Sequence, residues 1–428
     1  MTHPVTTPNI TSEPEQFVSN LPRRQRRGIA WRAIFFASTI FGIIALVILL
    51  WDVVNDSFGY SAFTYKVNPA TLSTDGKPLD AASSDELIII LEETLRPNRL
   101  TTLNSEEPLE QRTQEELYDL VIEEVVQPEV VAVWGLAYSL RHPEEITVEA
   151  TEIAMQQGVD PATVSIVWVN WMNRDFITSP QSSDPLYAGI STAIIGSLYI
   201  ILITILVAFP IGIGASIYLQ EYAQDNKINR LIQTNINNLA GVPSIIYGML
   251  GLTIFVRTLS YFTSGAFIGY PDADPNNGRT IISAGLTMAL LILPVIIING
   301  QEAIKAVPNS LREAAYGVGA TKWQTTWNHV LPNAIPGILT GTILAMSRAI
   351  GETAPLVIIG ASTYITYNPD SVFSKFTTLP IQIYQWTSRP QDEFRALAAA
   401  GIIVLLMLLL ALNAIAIVLR NRYSGRLA

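Results

Sequence analysis

The chain has 428 residues, of which 49% are hydrophobic and only 14% charged, with a mean hydropathy of +0.33. A soluble chain carries about 25% charged residues. The shortfall is concentrated in about six apolar runs of roughly 20 residues, each long enough to cross the ~30 Å hydrocarbon core of a bilayer as a helix. Cysteine is absent, which excludes a disulfide framework and thiolate metal sites. The three histidines, His3, His142 and His329, are too scattered for a metal centre. The net charge of −10 is unevenly placed: Asp52 to Pro185 holds 24 acids and 7 bases, and the remainder is net basic. No Lys/Arg cluster of the kind that binds nucleic acid is evident.

Residues 1–27 read as a disordered segment ending in the basic cluster Arg23, Arg24, Arg26 and Arg27. A first span over 28–53 follows, with its apolar run from Ala33 to Trp51. This run is too long for a cleaved signal, and the arginines hold its N-terminal side in the cytoplasm. The acidic block, 54–183, is long enough for a small domain. Asp85–Leu95, Gln111–Val125 and Thr147–Gln157 have helical spacing, and Pro161 opens a turn. Val164–Val169 fits a strand or a helix. The expectation is a mostly helical domain.

Five further spans are expected within 184–420, making six in an all-α polytopic membrane protein. They lie near Ile190–Tyr218, Leu239–Leu259, Ile281–Ile298, Ile338–Ala361 and Leu397–Leu419. Pro210, with Gly212 and Gly214, predicts a kink or break in the second. Lys and Arg concentrate in 23–27, 220–230, 301–333 and 420–428, which places both termini in the cytoplasm of a cytoplasmic-membrane protein. Asn299, Arg257 and Asn413 read as interface or snorkelling groups.

Two segments carry chemistry. Within the loop 301–335, Leu311 to Pro332 predicts a helix capped by Asn309, a glycine break, and a second helix ended by Leu331-Pro332. Such a helix-turn-helix is a rigid lever for a partner that pushes on it. Gly317-Val-Gly-Ala-Thr-Lys322 lacks phosphate-loop spacing, so this chain has no ATPase site of its own.

The second segment is Ser347-Arg-Ala-Ile-Gly351-Glu352-Thr353-Ala-Pro355 in the fifth span. Arg348 and Glu352 are spaced to share a helix face. Charged groups within a span face a bundle interior or a watery path and are functional candidates. Pro355 removes the donor for the Gly351 carbonyl, so the helix bends or opens beside the pair. An arginine fork suits an oxyanion, and the carboxylate holds it when the site is empty. A salt bridge that seals the closed bundle is the structural alternative.

Glu313-Ala314-Ala315, Gly319 and Leu331-Pro332 resemble the EAA loop of binding-protein-dependent ABC importer permeases in residues and spacing, with His329 where an aliphatic residue is usual. Arg348 to Leu356, Leu239 to Gly248, Phe176 to Pro180, Gly319 to Gln324 and Leu379 to Tyr384 resemble the permeases of the phosphate importer. Glu352-Thr-Ala-Pro-Leu356 is similar to the PstA-type branch rather than the PstC-type. The resemblance implies that Arg348, Glu352, Thr353 and Ser347 line a phosphate path, with Gly351 and Pro355 at its helix break. It implies a loop that couples to an ATPase, and no cofactor on this chain, since ATP is used by that partner. It also implies a sibling permease, two ATP-binding subunits, an extracytoplasmic phosphate-binding protein and surrounding lipid. The large domain between spans one and two departs from the family, and is expected to dock the binding protein or brace the sibling. Another oxyanion, such as phosphonate, sulfate or molybdate, is the alternative substrate. A sensor or scaffold with a permease-like body, and a membrane enzyme, are the alternatives of a different class.

Overall fold

The computed structural model describes residues 20–72, 79–271, 274–361 and 364–424. It divides into two compact units, Met1–Asp52 and Val53–Ala428. The disorder expected over 1–19 falls outside the described residues. Helix α1, Leu21–Ser57, starts earlier than expected, so the arginine cluster is its first two turns rather than part of a disordered segment. Arg and Gln are good helix formers, and Pro22 sits in the first turn, where a missing N–H costs little.

The acidic block corrects the all-α expectation, because it contains a sheet. Strands β1 (Phe58–Tyr65), β2 (Pro128–Val133) and β3 (Ser165–Asn170) form a three-stranded antiparallel sheet in the order β2-β1-β3. The Val164–Val169 run is thus mainly strand. β1 pairs with β3 in continuous register from Phe58↔Asn170 to Phe63↔Ser165, and a bulge at Ala62/Phe63 interrupts its pairing with β2. Helices α2 (Ser84–Thr94) and α3 (Gln114–Val121) are started by capping boxes, Ser83 with Glu86 and Thr113 with Glu116. Their leucines meet in a small core of Leu87, Leu91, Leu117 and Val121. Helix α4, Pro143–Gln157, lays Ala150 and Ala154 on Ala62 and Val131 of the sheet. Pro161 does open a turn, the short 3-10 segment Pro161–Thr163.

Beyond the acidic block the main helices are α5 (Ser191–Tyr222), α6 (Lys227–Ala240), α7 (Ser244–Thr258), α8 (Ile281–Lys305), α9 (Asn309–Gly317), α10 (Lys322–Gly351), α11 (Ala354–Ile359), α12 (Leu379–Thr387) and α13 (Asp392–Ser424). Among the described residues α1, α5, α8, α10 and α13 are long and apolar enough to cross a membrane. The pair α6–α7 makes a sixth if counted as one span, bent by 105°. The bend revises the third expected span: Leu239 and Ala240 end α6, and the apolar segment proper begins at Ser244 after Pro243. Tyr247 Oη donates to the Leu239 carbonyl at 2.9 Å across the bend. The second span is unbroken at Pro210. The last helix runs through Arg420 to Ser424, so the expected tail is partly helical and 425–428 lie outside the described residues.

Helix α8 is the central post. Two-thirds of its apolar window is buried, against 6% for α13, whose sides are left for lipid or another chain. Its approach to α5 depends on small residues. A Cβ on Gly285 would sit 2.6 Å from Ile203 Cγ2, and one on Gly212 2.6 Å from Ile296 Cγ2. Close backbones let hydroxyls cross: Thr204 Oγ1 donates to the Gly285 carbonyl at 3.1 Å, and Ser216 Oγ to that of Ile297 at 2.9 Å. The acidic block rests on the bundle through Trp171 and Phe176, which pack with Trp386 of α12 and Phe394 of α13.

Glu149 on α4 fastens that helix to its surroundings, accepting hydrogen bonds from Tyr138 Oη and from Trp134 Nε1. By accepting its hydrogen bond, the carboxylate pushes the Tyr138 phenol from 10.0 up to about 12. A raised folded value means the contribution is complete below pH 10 and is lost as the pH rises through about 12. Glu149→Gln is expected to remove it at neutral pH. Limited tryptic digestion of the full chain should then cut the exposed Arg141 several times faster than in the parent, whereas an unchanged rate would show that the contact does not hold α4.

Candidate functional site

The interrupted fifth span is built from three neighbouring elements. Helix α10 ends at Gly351. Glu352 turns extended (φ −79, ψ 116), Thr353 follows, and α11 starts with Pro355 in its first turn. The break falls where Pro355 withholds its donor. It differs from expectation in one respect: Glu352 lies just past the helix end, so it and Arg348 do not share a continuous helix face. They still meet, with Arg348 Nε donating to Glu352 Oε1 at 3.3 Å. The pair is open, the arginine side chain being 46% exposed and the glutamate 21%. Among the described residues no other acceptor takes the guanidinium.

Gly248 of α7 fixes the position of that break. A Cβ there would lie 2.7 Å from Pro355 Cα. Three residues on, a Cβ on Gly251 would lie 2.1 Å from Thr287 Oγ1 of α8. Helix α7 therefore fits between the post and the broken span only because both positions lack side chains. Pro355 and Leu356 are buried by this contact, while Thr353 is half-buried at the break. Ser347 points elsewhere: its Oγ bonds Asn413 Oδ1 of α13 at 2.9 Å, joining the fifth and sixth spans. Asn299 likewise works at an interface, donating to the Gly341 carbonyl of α10 at 3.4 Å, and Arg257 is exposed.

The Glu313-Ala314-Ala315 segment forms α9. Pro308 occupies the cap position, so Asn309 is the first helical residue rather than the N-cap. Ala315 is buried, whereas Glu313 and Ala314 are exposed. The glycine break is real: Gly319 has φ +83, a left-handed turn that favours glycine. A capping box between Thr321 and Gln324 then starts α10. Contrary to the expectation from sequence, Leu331-Pro332 does not end this second helix. A wider turn over Thr326–Val330 comes just before it, makes room for the proline, and lets the helix run on into the span. His329 is exposed on that turn, so the substitution of a polar residue there does not disturb the core.

Two features of this segment carry no expectation from sequence. Trp323 and Trp327 stack at 5.3 Å between centroids, although 60% and 54% exposed, and stand near the exposed Tyr316 and Val318 in the chain. Their spacing of four on a helix is the signal that would have found them. Arg312 is buried against Glu221, a residue 91 positions away, which no local pattern announces.

The sequence model of the binding-protein-dependent transport system inner membrane component family matches residues 208–425, half of the chain. The chain belongs to this family. The match takes in both the break and the Glu313-Ala314-Ala315 segment, and leaves the acidic block outside it. A probable ABC transporter permease protein of Bacillus subtilis, YqgI, is 32% identical over 57% of this chain and 82% of its own length. The phosphate transport system permease protein PstA of Yersinia pestis is 32% identical over 53% of this chain and 71% of its own. Among solved structures, the inward-facing MetNI methionine ABC transporter is 16% identical over 56% of this chain and 99% of its own, with a TM-score of 0.41.

Within this family member the α7–α11 contact is a strict steric test. Gly248→Val is expected to lower stability by about 1–3 kcal/mol, the usual size of an overpacking penalty. Thermal unfolding of the purified permease in detergent measures it. Gly214→Val, where a Cβ meets nothing within 4 Å, is the control.

Proposed function

We propose that this chain is a permease subunit of an ATP-driven importer that carries inorganic phosphate across the cytoplasmic membrane. The carrying observation is Arg348: an arginine at a helix break within an apolar span, with amino groups that meet no protein acceptor among the described residues. A cation at membrane depth is costly, and an oxyanion is the ligand that repays it with charge-assisted, paired hydrogen bonds. Glu352 holds the guanidinium between turnovers and accepts a hydrogen bond from the protonated oxygen of hydrogen phosphate during them. Thr353, half-buried at the break, supplies a further hydroxyl, and Ser347 supports the path by fixing α10 to α13. Similarity to PstA proteins supports phosphate over other oxyanions.

The exposed α9 and the aromatic face of Trp323 and Trp327 support a cytoplasmic docking surface for a separate ATPase, which uses the ATP. The apolar sides of α13 support a sibling permease in the membrane. In this reading both termini are cytoplasmic. The acidic block is extracytoplasmic and either receives the phosphate-binding protein or braces the sibling. Closure of the ATPases on ATP moves the loop, and the bundle rocks from outward to inward access.

The test is ATP-dependent uptake of labelled phosphate by proteoliposomes holding this chain, its sibling, the ATPase and the binding protein. Arg348→Ala is expected to cut uptake about tenfold to a hundredfold, the worth of a charged hydrogen bond, while the complex still assembles. Full uptake in the variant would remove the arginine from the path, and uptake of sulfate or molybdate in place of phosphate would redirect the substrate.

A further inference from the structure

One guanidinium ties the lever to the bundle. Arg312, on α9, sends Nε and Nη2 to Glu221 Oε1 at 3.2 and 2.7 Å. The same side chain donates from Nη2 to the Ile304 carbonyl at 3.0 Å, and from Nη1 to the Val307 carbonyl at 2.8 Å and Asn309 Oδ1 at 3.3 Å. Both charged side chains are nearly buried, at 14% and 6% exposure. Glu221 sits in the wide turn Tyr218–Tyr222 that ends α5, and Ile304 is in the last turn of α8, whose free carbonyls need partners. Lys322, the first residue of α10, lies over the Tyr222 ring of that same turn at 5.4 Å. Both helices of the lever are thus bonded to the end of α5.

A buried ion pair is a poor way to gain stability, since apolar residues of equal volume do as well or better. It fixes geometry instead: a planar fork with five donors, here spent on two helix ends and one carboxylate. We propose that the Arg312–Glu221 pair is a permanent latch. It makes α9 and the ends of α5 and α8 move as one body, so that a push on α9 reaches the bundle rather than bending the short connection 306–308 between α8 and α9. The proposal rests on the reading of α9 as the ATPase dock. Arg312 and Glu221 act as positioning residues, since neither faces the substrate path.

The test uses the complete complex in proteoliposomes and reads phosphate moved per ATP hydrolysed. Arg312→Lys keeps the charge and loses the fork, and Glu221→Gln keeps the shape and loses the charge. Each is expected to lower the ratio about tenfold, the size of a typical coupling between sites. A fall of uptake and hydrolysis in step, with the ratio unchanged, would mean a structural role only and overturn the latch. Because this chain has no cysteine, Glu221→Cys with Arg312→Cys can be bridged by a bifunctional thiol reagent in cysteine-free partners. Bridging is expected to restore the ratio. A ratio that stays low, or transport that stops, overturns a permanent latch. If the parent moves no phosphate, the substrate reading fails alone. The latch is still decided by amide hydrogen exchange, expected to quicken about tenfold in α9 of Glu221→Gln, and unchanged exchange rejects it.

Discussion

Hydrocarbon offers no partner to a bare peptide group, so a helix that crosses a bilayer cannot break unless other chain covers the break. The fifth span breaks at Glu352–Thr353, and the rest of the bundle is arranged around that fact. Helix α7 covers the far side through Gly248, α8 backs α7 through Gly251, and α13 holds the near side through Asn413. The post α8 is buried because it serves α5, α7 and α10 at once, and its small residues are what let three helices come close.

The same logic governs the charges. Arg348 and Glu352 lie where peptide groups are freed from the helix ladder, so the ion pair and the break make one polar locus within the span. Arg312 and Glu221 lie where two helices end, and there the guanidinium serves as partner for carbonyls that have run out of helix. One pair is open and the other closed. That contrast is what the two proposals rest on: the open pair is read as meeting a ligand and the closed one as holding parts together.

The acidic block obeys different rules. It forms its own small cores, and its link to the bundle is aromatic: Phe176 and Trp386 approach to 5.8 Å between ring centroids. Its net negative charge lies mostly on exposed helices such as α2 and α3, where capping glutamates also serve the helix starts. The matched family model, residues 208–425, lies outside this block.

The sequence by itself located most of the long apolar helices, the break in the fifth and the helix pair around Gly319. Apolar length fixes a crossing helix, Pro355 fixes where one must open, and the Glu313-Ala314-Ala315 pattern with Gly319 fixes a helix pair with a left-handed turn between. These are local effects, carried by residues within a turn or two of one another. Tertiary structure decided what local pattern cannot hold. Strand β1 pairs with residues 63–72 positions away in β2 and 102–112 positions away in β3, so the sheet stays invisible until its partners are brought together. Pro210 and Pro332 suggested interruptions, but neighbouring helices and a wide turn absorbed them. The 105° bend at Gly241–Pro243 and the Arg312–Glu221 pair likewise depend on distant surfaces. A side chain's role is set by what packs against it, and sequence order does not encode that contact.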